Sequence, residues 1–142
     1  MQSRLIATFA IYPLLAVLVS CSATKQVRES LSALGQLQSE APNKFPQQQI
    51  TFNITTRANG TFLTVRFVNS PWNELPAAEK QAKALEAARW AYATYASRSK
   101  LDEVTVVFGT HSSYGGVLNV QSSSGAFQFP AQQLAADSRA RP

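Results

Sequence analysis

Residues 51–68, TFNITTRANGTFLTVRFV, decide the fold. Asn59-Gly60 suits the positive φ angles of a two-residue type I′ turn between two strands. With that pair as the turn, Ala58 faces Thr61, and pairing runs outward as Thr56 with Leu63, Ile54 with Val65 and Phe52 with Phe67. These residues share one face. The opposite face carries Thr51, Asn53, Thr55 and Arg57 against Val68, Arg66, Thr64 and Phe62, which is mostly polar. Side chains alternate with period two, so a one-residue slip would destroy this sorting. The pattern predicts a hairpin with one face on a core and one face largely in water.

C-terminal to the hairpin, residues 70–76 (SPWNELP) form a loop, and Pro76 suits the first turn of a helix over about 76–98 that is rich in strong helix formers. On a 100° wheel Ala78, Ala82, Leu85, Ala88, Tyr92, Tyr95 and Ala96 share the side expected to cover the hairpin. Arg89 sits at its edge, with its stem packed and its head in water. Trp90 falls on the charged side with Glu79, Lys83 and Glu86. Trp90 and the loop residue Trp72 therefore form a candidate partner-binding surface, since tryptophan buries much area with few rotatable bonds. The competing reading covers Trp90 with the N-terminal helix or the C-terminal segment.

Residues 104–108 (VTVVF) predict a central strand. Residues 109–116 read as a Ser/Gly-rich loop holding His111 and Tyr114. Short strands at 117–120 and 126–129 flank a turn at 122–125, and Pro130 opens a short helix before a polar tail at 137–142. The expected fold is α+β: a mainly antiparallel sheet of four or five strands, one long helix (about 76–98) packed on one face, and a short N-terminal helix. The single domain spans 49–136.

Upstream, Val27, Leu31, Leu34 and Leu37 recur at helical spacing within 22–38, with Ser22 or Thr24 available as a cap. Residues 41–49 (APNKFPQQQ) read as a linker. The stripe either docks on the domain or lies on a bilayer or partner. Further upstream, Met1-Gln2-Ser3-Arg4 carries one positive charge and leads into an apolar stretch from 5 to 19. As a helix that stretch spans roughly 22 Å, short of the ~30 Å hydrocarbon core. It reads as a signal segment over 1–20.

Leu18-Val19-Ser20-Cys21 follows, and it resembles the bacterial lipobox, in which an aliphatic residue stands three places before an obligatory cysteine preceded by a small residue. The resemblance covers residues 1–21. It implies a diacylglyceryl group on the Cys21 thiol, cleavage before Cys21 and acylation of the new amine, leaving 21–48 as a lipidated N-terminus, short helix and linker. Two or three chains hold a protein on a membrane where one is marginal. In enteric-type lipoproteins an aspartate after the cysteine retains the protein in the inner membrane. Ser22 stands there in this chain, so the outer membrane, facing the periplasm, is expected.

The 13 Lys+Arg and 8 Asp+Glu give a formal charge of +5, and the signal would take only Arg4 from it. The basic residues are dispersed and form no nucleic-acid motif, so no nucleic-acid partner is expected. A single cysteine excludes an internal disulfide. No spacing suggests a metal, and no cofactor or catalytic residue is assigned. Asp102, His111 and Ser112 or Ser113 could be imagined as a nucleophilic set, but there is no Gly-x-Ser-x-Gly elbow. Asp102-Glu103 starts a strand, where neighbouring side chains point to opposite faces. Gly115-Gly116 lacks the lysine and helix of a phosphate loop and reads as a bulge or turn. The expectation is a membrane-anchored, non-enzymatic envelope module that binds a protein or cell-wall partner. The alternative is a small envelope hydrolase using His111 with a nearby serine.

Overall fold

Alternate apolar positions from Ile50 to Phe67 give two strands a common oily face, and the molecule is built by covering it. The computed structural model describes residues 11–114 and 118–139. In chain order the elements are α1 (Ile11–Lys44), β1 (Gln49–Arg57), β2 (Gly60–Val68), α2 (Ala77–Thr94), β3 (Glu103–Tyr114), β4 (Leu118–Pro130) and α3 (Ala131–Arg139). Short 3-10 turns at Pro71–Glu74 and Arg98–Lys100 flank α2. The strands form one four-stranded sheet in the order β1-β2-β3-β4. The first ten residues of the expected signal segment, Gly115-Gly116 and the end of the tail lie outside the described residues.

The α+β class holds, but the sheet is mixed. β1–β2 and β3–β4 are antiparallel, while β2 and β3 run parallel, with Phe62 beside Glu103 and Val68 beside Gly109. The physical reason is the crossover: α2 carries the chain back along the sheet, so β3 starts at the end where β2 started. Nor does α2 cover the sheet alone. α1 packs on β1, α2 on β3 and β4, and α3 on α2 and β4, so three helices share one face.

The hairpin keeps its faces but not its register. Arg57 pairs with Gly60, Ile54 with Leu63, Phe52 with Val65 and Ile50 with Phe67, two residues from the expected pairing, and Ala58 and Asn59 form the turn. A slip of two conserves the side-chain alternation, so the core face is still the apolar one. Gly60 has φ 145°, and a Cβ there would lie 2.6 Å from Asp102 Oδ2, which accepts a 2.8 Å bond from the Thr61 amide. Glycine is thus required just after the turn rather than within it.

Three further expectations are corrected. α1 runs past the proposed caps Ser22 and Thr24 and continues through Pro42, so the linker does not start at 41. Proline is tolerated in that last turn because it costs only one backbone bond near the helix end. Ala33, Leu37, Ala41 and Phe45 are buried in the core, which makes this segment part of the domain. The buried side of α2 is Lys80, Ala84, Ala87, Ala88, Ala91 and Tyr95, while Ala78, Ala82 and Ala96 are exposed. With alanine on every side the wheel has little contrast, and close approach to the sheet decides the rotation. Finally, β3 does not end at Phe108. It pairs with β4 as far as Tyr114 beside Leu118, with a bulge between Phe108 and Gly109, so the supposed loop at 109–114 and turn at 122–125 are strand.

Glu29 on α1 pairs with Lys100 at 2.8 Å, beside the start of β3. The hydrogen bond from Lys100, then its charge, hold the Glu29 carboxyl below its ordinary value. A depressed carboxylate contributes stability above its unfolded pKa and loses it as pH falls through the folded one.

Candidate functional site

The face of the sheet turned away from the helices is where a recognition site can form, because there polar side chains stand on a rigid floor. At the end where β2 and β1 stop pairing, β3 and β4 continue as a two-stranded arm. A depression of about 240 Å³ lies at that step, lined by Gln49, Thr51, Arg66, Val68, Gly109, Thr110, His111 and Gln121. All four strands contribute, so the site exists only in the assembled sheet.

Gly109 makes the floor. A Cβ there would meet the Ser122 carbonyl oxygen at 2.7 Å, so the bulge needs a residue with no side chain, and Arg66 Nη1 would lie 3.9 Å from it. The guanidinium of Arg66 therefore reaches along the strands to lie by Gly109. On the core side the Gly109 carbonyl accepts bonds from the Asn69 amide at 2.9 Å and from buried Asn73 Nδ2 at 3.0 Å. Lys80, only 9% exposed, donates to the Asn73 carbonyl at 2.8 Å and braces the same loop.

His111 sits two residues further along β3, exposed. Asn69, in the left-handed region with φ 50°, accepts a 2.9 Å bond from the His111 amide and donates a 3.1 Å bond to its carbonyl. Its side chain thus continues the β2–β3 ladder past Val68, and asparagine tolerates that backbone better than most residues. Asn69→Ala removes both bonds and keeps the strained backbone. It is expected to cost about 1–3 kcal/mol and to speed hydrogen exchange at the His111 amide, which urea unfolding and exchange measurements read separately.

Arg66 enters none of the ion pairs among the described residues, which are Lys44–Glu86, Lys83–Glu86, Arg89–Asp137 and Lys100–Glu29. A second groove, about 440 Å³, lies between the end of α1, α2 and α3 and is lined by Lys44, Glu86, Arg89, Trp90 and Asp137 among others. Its charges are already matched: Lys44 and Lys83 bind Glu86 at 3.2 Å, and Arg89 binds Asp137 at 2.6 Å. Burial raises the Glu86 carboxyl, and the hydrogen bonds from Lys44 and Lys83 outweigh it, leaving the group below its ordinary value.

Both tryptophans are half-buried against the core. Trp90 is half-buried, 5.2 Å from the Phe45 ring and 6.0 Å from Phe52. Trp72 packs 5.0 Å from Phe67 and 5.9 Å from Phe45, with the Lys83 ammonium 5.1 Å over its ring. Both complete the core, because α2 is rotated and the chain after α1 turns Phe45 between them.

The imagined nucleophilic set is also dispersed. Asp102 precedes β3 and His111 lies nine positions along it, a separation of roughly 30 Å. Ser112, the next residue on the strand, points to the other face. Asp102 instead serves the hairpin at Thr61. Among the described residues no cluster of His, Cys, Asp or Glu could hold a metal ion, and no helix is long and apolar enough to cross a membrane. Cys21 lies in the backbone of α1.

Sequence reasoning passed over Arg66, Gly109, Gln49, Gln121 and Asn69. The β-branched Thr110 directly after Gly109 is a weak signal for a strand that continues past the glycine. Comparison with protein-family models, curated proteins and solved structures finds no match.

Proposed function

We propose that the chain is a bacterial envelope lipoprotein, anchored through acyl chains on Cys21, whose domain is a non-enzymatic binding or assembly module. The observation that carries the reading is an apolar surface beside the anchor. Val27 and Leu31, 58% and 63% exposed, stand on α1 within about three helical turns of Cys21. Leu34 and Leu37 of the same stripe dock on the domain, so the stripe is divided between core and surface.

Lys25 and Arg28 are exposed on the same turns. Apolar side chains flanked by cations, beside acyl chains already in the bilayer, suit the headgroup boundary of an anionic membrane. Because α1 continues into the core, the anchor would hold the domain close to the membrane rather than on a loose tether. Ser22 after the cysteine favours the outer membrane, with the domain facing the periplasm. The open sheet face is then available to a protein or cell-wall partner.

Growth of cells with labelled fatty acid tests the anchor. Label is expected on the parent and absent from Cys21→Ala, which should accumulate as uncleaved precursor. Label that survives Cys21→Ala would contradict the reading.

A further inference from the structure

We infer that the depression around Gly109 is a binding site for a carboxylate, held by Arg66 and ringed by His111, Gln49, Thr51 and Gln121. The inference does not depend on the lipid anchor, since every residue in it belongs to the sheet.

Four observations converge on it. Arg66 presents a fork of N–H donors and lies in no ion pair among the described residues, so its charge has no protein partner there. The guanidinium lies beside Gly109, where β3 offers no side chain of its own to cover it: its Nη1 is 3.9 Å from the place a Cβ on Gly109 would take. Asn69 and Asn73 fix Gly109 and the backbone of His111 from the far side, which makes the floor rigid before any ligand arrives. Apart from His111, the remaining polar lining is amide and hydroxyl: Gln49, Gln121, Thr51 and Thr110.

That composition selects among anions. One permanent cation with neutral hydrogen-bonding neighbours matches a single negative charge, and a planar carboxylate takes a guanidinium two bonds at a time. A dianionic phosphate would want a second fixed cation. The glutamines offer both donors and acceptors, as the amide next to a terminal or side-chain carboxylate requires. At about 240 Å³ the space falls below the roughly 300–1,000 Å³ of pockets that enclose a whole small molecule. It therefore admits the end of a ligand and leaves the rest on the open sheet face, as for an acidic side chain or chain terminus of a peptide.

His111 is the only histidine, so its ring gives one set of NMR signals in the full chain purified in a neutral detergent. At fixed pH and ionic strength, N-acetylglycine is expected to shift those signals saturably, and the uncharged N-acetylglycinamide is not. Arg66→Gln is expected to weaken the response at least tenfold, while Arg66→Lys retains part of it. A response equal for acid and amide, or unchanged in Arg66→Gln, overturns the site. Tighter saturation by inorganic phosphate than by N-acetylglycine overturns the assignment to carboxylates. Should Arg66→Gln fail to fold, the comparison of acid with amide on the parent chain still decides. Loss of fatty-acid label would count against the anchor and leave this result untouched.

Discussion

Phe67→Ala is expected to destabilise the domain by about 3–5 kcal/mol, a large share of the 5–15 kcal/mol that holds a typical domain together. Phe67 is fully buried in the middle of β2. Its ring stacks on Phe108 at 5.4 Å and meets Trp72 at 5.0 Å and Phe45 at 5.6 Å, so one side chain joins β2, β3, the loop before α2 and the end of α1. Truncation removes the ring's transfer free energy and leaves a void that the three aromatic neighbours cannot close. Thr55, on the opposite face of β1, is the control: Thr55→Ala is expected to cost under about 1 kcal/mol. Urea unfolding followed by tryptophan fluorescence reads both. Equal losses would mean that the two faces of the hairpin have been exchanged.

Leu37→Ala is expected to cost about 2–5 kcal/mol, and Leu31→Ala to stay within about 0.5 kcal/mol. The residues are six apart on α1, yet Leu37 is fully buried and Leu31 is 63% exposed. The contrast separates a helix that belongs to the domain from one that merely precedes it. With α1 docked through Ala33, Leu37, Ala41 and Phe45, the core loses a packed leucine. With α1 free, both substitutions would be silent, and the covering of Trp90 by Phe45 would be wrong as well. Denaturation midpoints of the two variants, measured side by side, decide.

How far the sequence is legible depends on how much contrast each segment carries. In the β1–β2 hairpin apolar residues recur at alternate positions, broken only by residues such as Phe62 and Val68, so the faces are readable. The register is not, because a shift of two residues leaves the same pattern and only the contact of Asp102 with Gly60 and Thr61 selects between them. The helix start after Pro76 and the strand at Val104 stand out by composition. The buried side of α2 does not, since exposed Ala78 and Ala82 look the same as buried Ala84 and Ala87.

Proline and glycine mislead in two places. Pro42 marks a linker in the sequence but sits in the last turn of α1, where its cost is small. Gly109 marks a loop but floors a bulge inside β3. The candidate site follows from that second error: His111 was visible as a lone histidine, whereas Arg66 gains meaning only when β2 and β3 lie parallel and bring Val68 beside Gly109. The parallel pairing was implicit in a strand–helix–strand order, and it took the crossover geometry to make it explicit.

Under the proposed function, Cys21 carries the lipid and begins the mature chain. This is tested most directly by the intact mass of the protein extracted from the membrane fraction, followed by fragmentation of its N-terminal peptide. The expected chain starts at Cys21, lacks residues 1–20, and bears a diacylglyceryl group on the thiol with an acyl chain on the amine. A mature chain that starts elsewhere, or an unmodified Cys21 thiol, would contradict it.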